Sequence, residues 1–183
     1  MIAFDKDFIN KCKKADRAAQ KMLFEKLYAP MYRVCYRYLG KQAEAEDCLM
    51  KAFMKAFQKI ETFEYKDENS FYYWIKKVMV NEALMELRKH SNLSLVPLES
   101  LHEVADDADV LQYLSSEELY GLILKLPTGY RTVLNLNVIE GHTHAEIAAM
   151  LNITESTSRT QLAKARKSLK LMLEQMNKSY GTY

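Results

Sequence analysis

The stretch "THAEIAAMLNITESTSRTQLAKARKSL", residues 143–169, admits few folds. Thr143 and Glu146 make the T-x-x-E pattern of a capping box, so a helix is expected from His144 to about Leu151. Ile147 and Leu151 lie one turn apart and face inward, and Ala148 is small enough to let a second helix cross closely. Asn152 follows at the turn, where a left-handed backbone is often required and Asn tolerates it better than other non-Gly residues. Ile153 plugs the space between the helices, Thr154 caps the next one, and Glu155 in its first turn complements the dipole. The second helix is expected over residues 155–173. A helix, a three-residue turn and a second helix form the helix-turn-helix pattern.

On that second helix Leu162, Ala165 and Leu169 recur on the inner side. Ser156, Arg159, Thr160, Ala163, Lys164 and Lys167 fall on the opposite side, a face of small, hydroxyl and basic groups without an acid. Small residues allow close approach to the major groove. Arg159 can donate a bidentate pair to guanine O6 and N7, and Lys164 and Lys167 can hold phosphates. A helical hairpin with a basic solvent face has the same pattern. Ser158 stands where such motifs usually place an aliphatic residue.

The rest of the chain also reads as helix. Five glycines and three prolines are few for 183 residues, while Leu, Ala, Lys, Glu and Met are plentiful. Asp16 caps a helix to about Leu39, with Gly40 as its stop; Leu23, Leu27, Met31, Val34 and Tyr38 share one face. Pro30 is expected to kink or split it near Ala29. A helix over about residues 44–62 buries Leu49, Phe53, Phe57 and Ile60. After the polar break "EYKDEN", Ser70 precedes a third long helix with Phe71, Trp74, Ile75, Val78 and Met85 at helical spacing. Ser115 and Glu118 form a capping box, "LPTG" separates that helix from one over residues 130–140, and Gly141 ends the latter.

Charge divides the chain in the same places. Residues 1–89 carry 18 Lys/Arg against 13 Asp/Glu; residues 90–124 have seven acids and no base; residues 125–183 have eight bases and four acids. Basic, acidic, basic suits two polyanion-facing blocks joined by a linker. The expected fold class is all-α: small helical domains over residues 1–90 and 115–183, the second with the helix-turn-helix, joined by an acidic linker over 91–114.

Several chemistries find no support. Cys12, Cys35 and Cys48 are widely spaced and odd in number, which fits a reducing cytosol rather than zinc or disulfides. The start lacks an apolar signal-peptide core, and no apolar run is long enough to cross a membrane, so a cytoplasmic location is expected. His142 and His144 lack a third ligand, and Asp106, Asp107 and Asp109 lack the glycine and later glutamate of a calcium loop. No nucleophile-base set or phosphate-cradling loop stands out. Neither a cofactor, a metal nor catalysis is expected.

Two separated segments resemble one family. "LPTGYRTVLNLNVIEGHTHAEIAAMLNITESTSRTQLAKARKSL" looks like region four of bacterial sigma factors: a Leu-Pro start, a central Glu-Gly, then E-I-A and a basic ending. "AEDCLMKAFMKAF…FYYWIKKVMVNEALMELRKH" looks like region two. The short linker suggests the extracytoplasmic-function class. This resemblance implies binding to core RNA polymerase and promoter DNA, promoter recognition, melting and transcription initiation. Members are often held by an anti-sigma factor, though nothing here identifies one.

Carried onto this chain, the polymerase dock falls on Glu46, Asp47, Met50, Lys51 and Met54, with Met50 and Lys51 standing where the family often has Gln and then an acid. The minus-ten reader falls on Phe63, Tyr72, Tyr73, Lys76, Lys77, Asn81 and Arg88, around a base-capturing loop over residues 63–70. Aromatic faces stack on exposed bases while Lys and Arg follow the phosphates. The upstream reader falls on the outer face of the second helix of the helix-turn-helix. A helix-turn-helix regulator with a helical ligand or dimerisation domain, and a helical protein-interaction adaptor, are the alternatives. Neither needs the aromatic-basic helix after Ser70.

Overall fold

The computed structural model describes residues 2–89 and 116–180. The expected linker over 91–114, and Ser115 of the second capping box, lie outside these residues. The described residues contain helices and no strand, and the chain divides into two compact units, Met1–His90 and Ser91–Tyr183.

The first unit holds α1 (Lys6–Lys13), α2 (Arg17–Leu39), α3 (Gln42–Lys59), a single 3-10 turn (Ile60–Thr62) and α4 (Ser70–Lys89). Helices α2, α3 and α4 pack on one another around Leu23, Leu27, Met31, Leu49, Ile75 and Met79, all fully buried. Removing these side chains from water is the main force holding the bundle. The Asp16 side chain accepts the Ala19 N–H at 2.9 Å to start α2, and Gly40, at φ 76°, ends it. Helix α2 runs unsplit through Pro30. Proline forfeits one backbone hydrogen bond, but Leu27, Met31 and Val34 on either side of it are all buried and keep both halves packed in the core.

Helix α1 is absent from the sequence expectations, yet its signals are present. Asp5 accepts the Phe8 N–H at 2.7 Å as N-cap, and Ile9 and Cys12 are buried. The helix ends in a Schellman turn: Asp16 N–H bonds Lys11 O and Ala15 N–H bonds Cys12 O, both at 3.1 Å. Ala15 therefore sits at φ 57°, a position usually filled by glycine. Asp16 closes α1 with its backbone and opens α2 with its carboxylate.

Helix α4 is rotated from its expected orientation. Phe71 and Ile75 are buried as expected, but the inner stripe continues through Met79, Glu82 and Glu86, while Trp74, Val78 and Met85 are only half-buried. The shift is about one residue's turn, roughly 100°. Two glutamates enter the interface because α3 supplies cations opposite: Lys55 pairs with Glu82, and Lys51 with Glu86 at 3.2 Å. Lys89 also reaches Glu86 at 3.2 Å.

The second unit holds α5 (Ser116–Lys125), α6 (Thr128–Leu134), a π-helical turn (Asn135–Ile139), α7 (His144–Leu151) and α8 (Glu155–Tyr180). The helix expected over 130–140 thus starts earlier and finishes in a wider turn. Arg131 is nearly buried and donates to Leu124 O and Leu126 O at 3.1 and 3.2 Å, tying α6 to the end of α5. Leu136, Ile147, Leu162, Ala165, Leu169 and Leu173 form the core. Helix α8 continues seven residues beyond its expected end at 173.

Candidate nucleic-acid interface

The helix-turn-helix forms from the signals that suggest it. Thr143 and Glu146 make a reciprocal capping box, and Asn152 is left-handed at φ 53°, ψ 52°. The Thr154 hydroxyl accepts the Thr157 N–H at 3.0 Å to begin α8. Ser158, the residue without an aliphatic side chain, has no exposed surface; its hydroxyl lies 2.8 Å from His144 Nδ1. A polar link between α7 and α8 therefore occupies the place of an apolar contact.

The outer side of α8 presents Ser156, Arg159 and Lys167 as exposed and Thr160, Ala163 and Lys164 as half-exposed. The six share one side of the helix, opposite Leu162, Ala165 and Leu169. One expectation changes: the side is not free of acid. Glu155 stands one turn from Arg159 and holds its guanidinium at 2.6 Å, with both side chains about half-exposed. Arg166, passed over in the sequence, is also exposed on that flank. Burial lowers the pKa of His144; Arg159 and Arg166 lower it further, and Glu155 opposes them.

On α4 the candidate residues separate into two groups. Tyr73, Lys77, Asn81 and Arg88 lie on one exposed side, with Tyr73 half open to solvent. Tyr72 and Lys76 are half-buried on another side, the Tyr72 ring meeting Tyr73 edge-on at 5.8 Å. Phe63, expected among the minus-ten readers, is instead a core residue. Only 5 % exposed, it packs on Phe71 at 4.9 Å and Trp74 at 5.5 Å. A ring closed in by two others has no face to offer a base. The loop after Phe63 is ordered by its own side chains: Asp67 accepts the N–H groups of Asn69 and Ser70, both at 2.8 Å. Glu64, Lys66, Asp67 and Glu68 remain exposed.

On α3 the candidate dock is the outer side of the helix. Met50 and Met54 are 50 % and 60 % exposed, an apolar pair offered to solvent beside Asp47. Glu46 accepts from Gln42 at 2.9 Å. Lys51 turns away from this pair to line a cleft of about 70 Å³ with Glu44, Asp47 and Glu86. Burial raises the Glu86 pKa, but hydrogen bonds and charge from Lys51 and Lys89 outweigh it and hold the carboxyl below the ordinary range. Helix α2 carries a ladder of stacked rings, Tyr28 on Tyr32 and Tyr32 on Tyr36, at 6.3 and 5.7 Å.

The three cysteines are buried free thiols. Burial, helped by Asp16, pushes Cys12 up to about 11, and the hydrogen bond that the Cys48 thiol makes to Cys35, together with burial, pushes Cys48 up as well. Such thiols are poor nucleophiles. Among the described residues no helix is long and apolar enough to cross a membrane, and no group of three or more His, Cys, Asp or Glu residues is placed to hold a metal.

Two helical units, one with a basic helix-turn-helix and one with an aromatic-basic helix, define an all-helical protein of the helix-turn-helix class. Residues 23–92 match the family model for sigma-70 region 2, and residues 116–169 match that for sigma-70 region 4. The ECF RNA polymerase sigma factor SigW of Bacillus subtilis (strain 168) is 31% identical over 182 residues, covering 92% of this chain and 96% of SigW. SigM, the ECF sigma factor of Mycobacterium tuberculosis, is 26% identical over 162 residues, covering 88% and 81%. Among solved structures, RpoE of Bartonella quintana with the anti-sigma factor NepR is 19% identical, covering 84% and 96%, with a TM-score of 0.49. The chain belongs to the ECF RNA polymerase sigma factors. It is a promoter-recognition sigma factor, and neither the ligand-binding regulator nor the adaptor is favoured.

Proposed function

We propose that the two units divide the promoter between them. Unit 2 reads duplex DNA upstream through Ser156, Arg159, Thr160, Ala163, Lys164 and Lys167, with Arg159 on a base edge and Lys164 and Lys167 on phosphates. Unit 1 reads the melted minus-ten strand through Tyr73, Lys77, Asn81 and Arg88, with Tyr72 and Lys76 at the flank and the 63–70 loop capturing a flipped base. Core polymerase docks on Met50 and Met54, flanked by Glu46, Asp47 and Lys51. The chain performs no chemistry: binding energy opens the duplex and the polymerase supplies the active site. It acts in the cytoplasm, and an anti-sigma factor is a further partner in this reading.

The observation that carries the proposal is the exposed row Tyr73, Lys77, Asn81 and Arg88 on α4. These residues recur at i, i+4, i+8 and i+15, so one side of one helix offers an aromatic face, two cations and an amide to a single strand. Pull-down with core polymerase and multi-round transcription on genomic promoter fragments test it. Core binding, with transcription lost in a Tyr73→Ala, Lys77→Ala double variant, is the expected result. No core binding would sink it, and promoter binding without core would favour an ordinary regulator.

A further inference from the structure

The loop over residues 63–69 is held at both ends from the N-terminal segment. The Lys13 ammonium donates to Phe63 O at 2.7 Å and reaches Glu61 O at 3.5 Å. Phe4 N–H donates to Glu68 O at 3.0 Å. The Phe4 ring is buried, stacked on Phe8 at 5.4 Å and edge-on to Phe71 at 5.6 Å. Residues 64–67 therefore span two anchored points, exposed along their length apart from the half-buried Tyr65. The Asp67–Ser70 hydrogen bonds shape the far end of the loop, whereas Lys13 supplies the side-chain hydrogen bond to its near end. Lys13 and Phe4 both precede residues 23–92, the span matched to sigma region 2.

We propose that α1 sets the geometry of this loop, with Lys13 as a positioning residue for minus-ten recognition that itself touches no DNA. The inference rests on the reading of the loop as the base-capturing element. A captured base needs its pocket placed to a fraction of an ångström, and a charged donor on a backbone carbonyl fixes such a loop at little cost in sequence. The Schellman turn at Ala15 and the Gln20 amide on Cys12 O, at 3.2 Å, fix α1 on α2 and so fix Lys13.

The test uses full-length protein assembled with core polymerase, on promoter fragments with a fixed upstream element and a randomised minus-ten element. Fragments selected by the wild-type holoenzyme, and their single-base variants, are then transcribed with Lys13→Met, which keeps the apolar stem and removes the ammonium. Discrimination between the selected element and its variants is expected to fall about tenfold, the scale of one lost charge-assisted hydrogen bond. Core affinity and dependence on the upstream element stay at wild type, and Lys13→Arg stays within about threefold of wild type because it keeps charge and reach. Unchanged discrimination overturns the inference, as does a parallel loss of core affinity. Should Lys13→Met not fold, Lys13→Gln, too short to span both carbonyls, is read in the same way. A loop variant with Glu64, Lys66 and Glu68 changed to Ala separates the two levels. If it keeps full discrimination, the base-capture reading falls and takes this inference with it. If it loses discrimination while Lys13→Met does not, only the role of Lys13 falls.

Discussion

The hydroxyl of Ser158 lies 2.8 Å from His144 Nδ1, with Ser158 wholly buried between α7 and α8. The burial of His144 at this contact is expected to make the helix-turn-helix sensitive to proton concentration. Desolvation, then Arg159 and Arg166 against Glu155, hold the folded His144 below the ordinary value of 6.5. The unfolded chain then binds the proton more readily, so stability falls as pH drops through the unfolded value of about 6.5 and below. Thermal unfolding at pH 7.5 and 5.5 is expected to show a larger loss in wild type than in His144→Gln. Equal losses would refute this. A double-mutant cycle of His144→Ala with Ser158→Ala is expected to give a coupling of about 1 kcal/mol.

Ala15 and Asn152 both occupy the left-handed region, at φ 57° and 53°. Alanine carries the steric penalty that asparagine partly avoids. Ala15→Gly is expected to stabilise the protein by about 0.5–1 kcal/mol, after allowing for the greater freedom glycine gives the unfolded chain. Asn152→Gly gains less. Urea unfolding of the two variants ranks them, and the reverse order would remove strain at Ala15 as the cause.

Lys55 and Glu82 form an ion pair with unequal surroundings: Lys55 keeps 41% of its side-chain exposure and Glu82 only 3%. Deleting the carboxylate leaves a lysine that can swing into water. Deleting the lysine strands a buried carboxylate whose Oε1 already has no hydrogen-bond partner among the described residues. Lys55→Met is therefore expected to cost about 1–3 kcal/mol, more than Glu82→Gln. Chemical denaturation of both variants decides the order.

On α8, Arg159→Ala is expected to relax base preference at one upstream position, at a cost of about 1–3 kcal/mol, whereas Lys167→Ala weakens all promoters alike. Glu155 adds a third arm. It binds Arg159 in the free protein and repels phosphate, so Glu155→Gln is expected to raise duplex affinity about two- to fivefold. Binding of a duplex promoter panel by the holoenzyme measures all three. Identical effects of the first two substitutions would abolish the division into base and phosphate contacts.

Where local chemistry decides structure, the sequence was enough. The Thr143 capping box, the Asn152 turn, the Asp16 cap and the Gly40 stop each depend on a side chain and its near neighbours. Where distant groups decide it, the sequence misled. Glu82 and Glu86 are absent from the expected inner stripe because a carboxylate alone avoids a core, and only Lys51 and Lys55, 35 and 27 residues away, make their burial tolerable. The same blindness turned α4 by one residue and placed Phe63 among the minus-ten readers. Ser158 was out of pattern until its partner 14 residues earlier was in view. Helix α1 had readable signals, Asp5 before an apolar spacing, but at eight residues it is too short to stand out by periodicity.

Trp74 is the only tryptophan in the chain, and it lies stacked on Phe71 at 5.8 Å and against Phe63 at the root of the 63–69 loop. Indole emission therefore comes from unit 1 alone, from the root of the loop proposed to capture a base. Unit 2 is dark at that wavelength. A fluorescence melt then follows the first unit while circular dichroism follows both, and their difference traces the helix-turn-helix without a label. Quenching on addition of single-stranded DNA would give the loop an optical readout of its own.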